Sequence, residues 1–209
     1  MLRERDYHIF EYIHHMYFEG KKYEDLPFRN HVSSGFRSDV WVDKYFQAVF
    51  EKSAIFFKNK IVLDIGCEIG SKISWIELFD AKEYVGIDPD KKHIYYAKII
   101  AEIVNLNTSI IQSTAEHFVY EKYDTGLLLS VTQHLENQEY VISSMCNNCD
   151  NVIIDTWVNC RNCKSLSEYI SLVENNNMTI LLVEKIKNNR YTIIASKDKK
   201  IISDFWSLR

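Results

Sequence analysis

The sequence predicts an α/β fold, a mostly parallel sheet of seven strands with a C-terminal antiparallel hairpin and an N-terminal helical cap. Two observations predict it. From Lys60 onward, short β-branched runs alternate with stretches of helical periodicity, the pattern of a parallel sheet covered by helices. The last two runs break that alternation: only Lys187-Asn188-Asn189 separates them, a loop short enough for a hairpin.

The first five runs are Ile61 to Ile65, Glu83 to Asp88, Thr108 to Gln112, Thr125 to Val131 and Asn151 to Trp157. Met178 to Ile186 and Arg190 to Ala195 form the closing pair. Between the runs, Gly70 to Phe79 and Lys91 to Asn105 have helical periodicity, the second through Ile94, Ala97, Ala101 and Val104, and a further helix is expected near Lys164 to Glu174. Upstream, Leu2, Ile9, Ile13, Met16 and Tyr17 outline an amphipathic helix that stops at Gly20, and Glu24 to Gly35 has loop chemistry. Ser38 is placed to N-cap a second helix, with Asp39 in its first turn and Trp41, Tyr45, Phe46, Val49 and Phe50 on one face.

With 209 residues and 46% hydrophobic content the chain can bury a full core, and its length favours a single domain over residues 1–209, with 1–59 as cap and 60–209 as core. A net charge of −4 and a pI near 6.0 exert no overall pull toward a polyanion. The basic segment Lys185, Lys187, Arg190, Lys197, Lys199 and Lys200 reads as the solvated ends of a hairpin rather than a nucleic-acid surface. The start, Met1 to Asp6, lacks the apolar stretch of a signal peptide, and nowhere do about 18 apolar residues run together. The expected setting is cytoplasmic, with no membrane partner. Five cysteines, an odd number, are expected as free thiols in a reducing compartment.

The chemistry concentrates after the first strand. Asp64-Ile65-Gly66-Cys67-Glu68-Ile69-Gly70 leads from strand to helix, and Gly66 and Gly70 let the backbone turn sharply and approach a ligand. The second strand ends in Gly86-Ile87-Asp88-Pro89, eighteen residues beyond Gly70 at Asp88, where a carboxylate can accept from both hydroxyls of a ribose. A dinucleotide loop carries a central glycine that admits a pyrophosphate. Glu68 stands there instead; its charge repels a phosphate and tolerates a cationic ligand.

These stretches resemble the class I S-adenosylmethionine-dependent methyltransferases, whose fold is Rossmann-like. Asp64 to Gly70 resembles their first motif, and Gly86 to Pro89 their acidic second motif. Ser113-Thr114-Ala115-Glu116 is similar to the loop that touches the adenine, and Leu128 to Leu135 to the segment that floors the donor methyl. The resemblance spans about 60–195 and departs from the family at Glu68, where glycine is usual. It implies S-adenosyl-L-methionine as cofactor. Asp64, Gly66, Cys67 and Gly70 would then surround its methionine part, with Asp88 and Pro89 at the ribose, Thr114 and Ala115 at the adenine, and Ser130 and Val131 beneath the methyl. Upstream, Phe36 to Lys44 is similar to the W-R-S-D-W-K-W-D-R stretch of the tRNA wobble-uridine carboxymethyltransferases, which places Arg37 and Trp41 near the donor. That family has Tyr before the histidine that follows the fourth strand; this chain has Gln133 before His134.

Methyl transfer from a sulfonium requires a nucleophile held in line and water excluded. An alcohol or ammonium acceptor must also lose a proton. His134, at the end of the fourth strand, is the first candidate base, because imidazoles titrate near neutrality, and Asp155 in the fifth strand is the second. The short stretch before the final hairpin leaves the acceptor lid to residues 1–59, whose tyrosines, histidines and arginines suit a small polar or aromatic molecule.

Two readings compete with methylation of an O or N on a small-molecule acceptor. One is an RNA methyl- or carboxymethyltransferase. The other is a non-catalytic or zinc-binding interaction protein, suggested by Cys146-x-x-Cys149 and Cys160-x-x-Cys163. If Asn151 to Trp157 is a strand, its rise separates the two cysteine pairs by about 20 Å or more, too far to share one ion.

Overall fold

The computed structural model describes residues 54–102, 104–187 and 189–207. The two helices expected within the cap, and with them Arg37 and Trp41, lie outside the described residues. In chain order the elements are β1 (Ile61–Ile65), α1 (Ile73–Leu78), β2 (Glu83–Asp88), α2 (Lys91–Ala101), β3 (Asn107–Gln112), β4 (Tyr123–Leu129), α3 (Gln138–Asn148), β5 (Cys149–Trp157), α4 (Leu166–Asn175), β6 (Thr179–Lys187), β7 (Arg190–Ser196) and α5 (Lys199–Ser207). Short 3-10 turns occupy Ala54–Phe56 and Thr132–His134.

The sheet order is β3-β2-β1-β4-β5-β7-β6. The first five strands are parallel, and β7 runs antiparallel to both β5 and β6. This is the predicted Rossmann-like α/β architecture. The order reverses between β1 and β4, so the carboxyl ends of these two strands open a crevice at the topological switch point, where open α/β sheets bind their ligands.

Burial on both sides explains the near-continuous apolar character of the strands. Along β1, Val62 faces one layer and Leu63 and Ile65 the other. The first layer packs Ile73 and Ile76 of α1, Ile94 and Ile100 of α2, and Ile201 and Phe205 of α5 against the sheet. The second uses Val141, Ile142 and Met145 of α3 with Tyr169 and Val173 of α4. Helix starts follow local chemistry. Asn137 Oδ1 accepts from Tyr140 N at 3.0 Å, and Ser165 and Glu168 form a reciprocal capping box before α4.

Four expectations need correction. The fourth strand stops at Leu129, because Ser130 takes φ 60°, outside the strand region. The second core helix ends at Ala101, short of Asn105. Arg190 is no solvated hairpin end: its side chain is only 12% exposed and pairs with the buried Asp155. Cys160 and Cys163 form a disulfide rather than two free thiols, while Cys67, Cys146 and Cys149 are free and buried. The two Cys-x-x-Cys pairs sit at opposite ends of β5, as the rise argument requires. Burial holds the thiols of Cys146 and Cys149 up at about 12. Among the described residues, no helix is long and apolar enough to cross a membrane.

Candidate active site

Four loops at the carboxyl ends of β1, β2, β3 and β4 are joined into one rim. The amides of Gly66 and Cys67 both donate to the Ile87 carbonyl at 2.9 Å, tying the glycine loop to the end of β2. Asp88 Oδ2 accepts from Glu68 N at 3.1 Å, and the Asp88 carbonyl accepts from Ser113 N at 3.1 Å. Glu116 Oε1 accepts from Glu136 N and Asn137 N at 3.0 and 3.3 Å, linking the loop after β3 to the segment after β4. Gly66 closes the ring against Val131.

Backbone geometry explains the glycine loop. Gly66 and Gly70 sit at φ 75° and 81°, which side-chain-bearing residues avoid. A β-carbon on Gly66 would lie 2.3 Å from Val131 Cγ2, and one on Gly70 would lie 2.8 Å from Ile73 Cδ1. Glu68, the departure from the resembled pattern, adopts φ 53°. It thus keeps the left-handed conformation that a glycine would take more cheaply, and the loop retains its path.

Asp64 is fully buried beneath this loop. Its Oδ2 accepts from Tyr84 Oη at 2.5 Å and pairs with Lys72 Nζ at 3.2 Å, whereas Oδ1 has no hydrogen-bond partner among the described residues. Lys72 Nζ also donates to the Gly66 carbonyl at 3.2 Å. Burial alone would lower the lysine's pKa, but the negative charge around it, Asp64 foremost and then Glu68, together outweighs burial and keeps the ammonium above its ordinary value. Cys67 lies in the same pocket, where burial first and the Asp64 charge second push its thiol up and leave it unreactive.

Asp88 is 7% exposed, and its Oδ1 accepts from Asp90 N at 2.9 Å and lies 3.0 Å from His93 Nδ1. Burial would raise the Asp88 carboxyl, but the bonds from His93, Asp90 and Glu68 hold it below its ordinary value. Burial would likewise lower His93, and Asp88 outweighs it, raising His93 above 6.5. His93 therefore contributes its full stabilisation below pH 6.5 and loses it as pH rises through its elevated folded-state pKa. Asp88 contributes above 3.8 and loses its share as pH falls through its depressed folded-state pKa. The pair is fully stabilising between these values. In thermal denaturation across pH 6 to 8.5, His93→Gln is expected to flatten the decline that this pair imposes on the wild type; identical slopes would show that the pair does not set it.

The remaining predicted residues fall as follows. The Pro89 carbonyl accepts from Gln112 Nε2 at 3.2 Å. Thr114 Oγ1 lies 2.9 Å from His117 Nδ1, and the Ala115 carbonyl accepts from Tyr120 Oη at 2.9 Å, so both shape the turn after β3. Ser130 is held at its positive φ by two bonds to Asp155, from its amide to the carbonyl at 3.0 Å and from Oγ to Oδ2 at 2.7 Å. His134 is exposed at the end of the 3-10 turn, its amide donating to the Val131 carbonyl at 2.8 Å. Asp155, by contrast, is fully buried, with both oxygens engaged by Arg190 Nε at 2.9 Å. Through these bonds it supports the Ser130 turn.

Sequence reasoning missed Lys72, Tyr84 and His93, and the partners of Glu116 and Arg190. His93 was discoverable: it follows Asp88 by five residues in the first turn of α2, which returns over the strand end. Lys72, Glu116 and Arg190 carried no signal, since their partners are set by the tertiary fold.

The glycine cradle, the unpartnered Asp64 oxygen and the acceptor capacity of Asp88 fit a ligand carrying a cation and a diol. Comparisons with known proteins agree on the class. Residues 63–149 match the methyltransferase domain family. No curated protein matches the chain in sequence. Among solved structures, it is similar to magnesium protoporphyrin IX methyltransferase from Synechocystis PCC 6803 with bound S-adenosylmethionine, at TM-score 0.65 and 17% identity, over 90% of this chain and 97% of that one. It is also similar to 1,6-didemethyltoxoflavin-N1-methyltransferase from Burkholderia thailandensis, at TM-score 0.61 and 14% identity, over 77% and 82%. A third is the N-methyltransferase NodS from Bradyrhizobium japonicum, at TM-score 0.65 and 14% identity, over 76% and 96%. At these identities the structural likeness speaks for the fold. The family match over residues 63–149 and a fold shared with solved methyltransferases point to the same class of protein.

Proposed function

We propose that this chain transfers a methyl group from S-adenosyl-L-methionine to an O or N of a small-molecule acceptor. The observation that carries the reading is the bond between Glu68 N and Asp88 Oδ2, which makes the glycine loop and the ribose acid one unit at the switch point of the sheet. The donor supplies an electrophilic methyl on a sulfonium. Asp64, Gly66, Cys67 and Gly70 hold its amino-acid part, Asp88 and Pro89 the ribose, and Thr114 and Ala115 the adenine. Ser130 and Val131 form the floor under the methyl, fixed in place by Asp155 and Arg190. The acceptor lid is assigned to residues 1–59 of the same domain, with Arg37 and Trp41.

His134 is the base in this reading. Its imidazole, exposed at the end of the 3-10 turn that follows β4, takes the acceptor's proton as the methyl is transferred. The solved relatives that act on a porphyrin and on didemethyltoxoflavin support a small ring-containing acceptor, and the chain's net charge of −4 disfavours RNA. The test is transfer of labelled methyl to a panel of small O- and N-acceptors, with bulk tRNA in parallel. Labelling of the small molecules is expected; labelling of tRNA alone would overturn the acceptor class. With an acceptor in hand, His134→Ala is expected to lower kcat about a hundredfold with little change in donor affinity. Unchanged kcat would remove His134 from the mechanism.

A further inference from the structure

The donor site contains a cation of the chain's own. Lys72 is 5% exposed, and its Nζ lies 3.2 Å from both the Gly66 carbonyl oxygen and Asp64 Oδ2. These two acceptors are the polar groups at the base of the glycine loop. Asp64 keeps its other oxygen, Oδ1, buried and unpartnered. A carbonyl and a buried carboxylate converging on one point make an ammonium site, and a lysine ammonium fills it.

Any ligand whose amino-acid part enters this loop brings an α-ammonium that needs the same acceptors. Two ammonium groups at contact distance repel, and the pocket is too dry to screen them. Losing Lys72 without replacement would leave Asp64 as an unpaired buried charge or force it to take up a proton, so an arriving cation favours the lysine's departure. Its four-carbon stem gives it the reach to swing aside.

We propose that Lys72 is a resident stand-in for the donor's α-ammonium: it neutralises Asp64 in the donor-free chain and is displaced from Asp64 and the Gly66 carbonyl when the donor binds. This rests on the assignment of the glycine loop to the donor. Lys72 thereby selects for adenosyl ligands that carry an amino-acid end. A nucleoside lacking that end has no charge to exchange and leaves the lysine in place.

Two measurements test it on the intact chain. Lysine acylation read by mass spectrometry is expected to show Lys72 protected alone and with 5′-methylthioadenosine, but modified about tenfold faster with saturating S-adenosylhomocysteine. Ligand binding ordinarily protects a site lysine, so this direction is diagnostic. In calorimetry, Lys72→Met is expected to bind S-adenosylhomocysteine about tenfold more tightly than the wild type, because no ion pair has to be displaced, with 5′-methylthioadenosine unchanged. Unchanged or reduced Lys72 modification on binding overturns the proposal, as does weaker or equal S-adenosylhomocysteine binding by a folded Lys72→Met. If Lys72→Met does not fold, the wild-type labelling decides alone. Failure of the wild type to bind S-adenosylhomocysteine at all would instead overturn the donor-site assignment itself.

Discussion

Asp88→Ala is expected to weaken S-adenosylhomocysteine binding roughly a thousandfold. The carboxylate is the acceptor assigned to the ribose hydroxyls, and two charge-assisted hydrogen bonds at about 2 kcal/mol each come to about 4 kcal/mol, close to three powers of ten in Kd. Asp88 also ties Glu68 N into the glycine loop and holds His93, so its removal loosens the cradle as well as the ribose contact. Asp88→Asn separates the two contributions: it keeps the side-chain shape but offers one acceptor oxygen in place of two. Calorimetry with both variants is expected to rank wild type above Asn and Asn above Ala. Equal affinity in all three would mean that the ribose is held elsewhere.

The second large effect is structural. Arg190→Leu removes the cation that engages both oxygens of the fully buried Asp155. A buried carboxylate stripped of its partner costs about 3–5 kcal/mol, which for a domain of this size lowers Tm by roughly 10 °C. Asp155 in turn fixes Ser130 in its positive-φ turn, so the floor of the donor pocket should loosen with it. Adding Asp155→Asn to Arg190→Leu is expected to recover part of the loss, because the uncompensated charge is then gone. Thermal unfolding of the single and double variants decides it; a drop below about 2 °C in the single variant would mean that water replaces the arginine.

Much of this architecture was legible in the residues. The alternation from Lys60 onward and the short link before Arg190 were enough for the sheet and its antiparallel edge, because strands buried on both faces must be apolar throughout. Two helices escaped. In α3, Val141, Ile142, Met145 and Cys146 have helical spacing, but Cys146 also belongs to a Cys-x-x-Cys pattern that reads as metal chemistry. In α5, Ile201 and Phe205 are the apolar stripe beneath a surface of charged residues that read as a solvated hairpin end. The site divides the same way. Gly66 and Gly70 announce themselves because a sharp turn after the first strand demands particular residues at particular spacings. Lys72 and Arg190 do not, because an ion pair between distant positions follows from which side chains the fold brings together. Asp155 is an example: in the fifth strand it reads as a candidate base, and its pairing with Arg190 has no counterpart in the spacing of the sequence.

The central claim, that the glycine loop and Asp88 form a site for the methyl donor, is tested most directly by calorimetric titration of the wild-type chain with S-adenosylmethionine, S-adenosylhomocysteine and NAD. The account predicts saturable one-to-one binding of both adenosyl compounds and none of NAD, because Glu68 stands where a pyrophosphate would have to pass. Binding of NAD in preference to either adenosyl compound, or of none of the three, would contradict it.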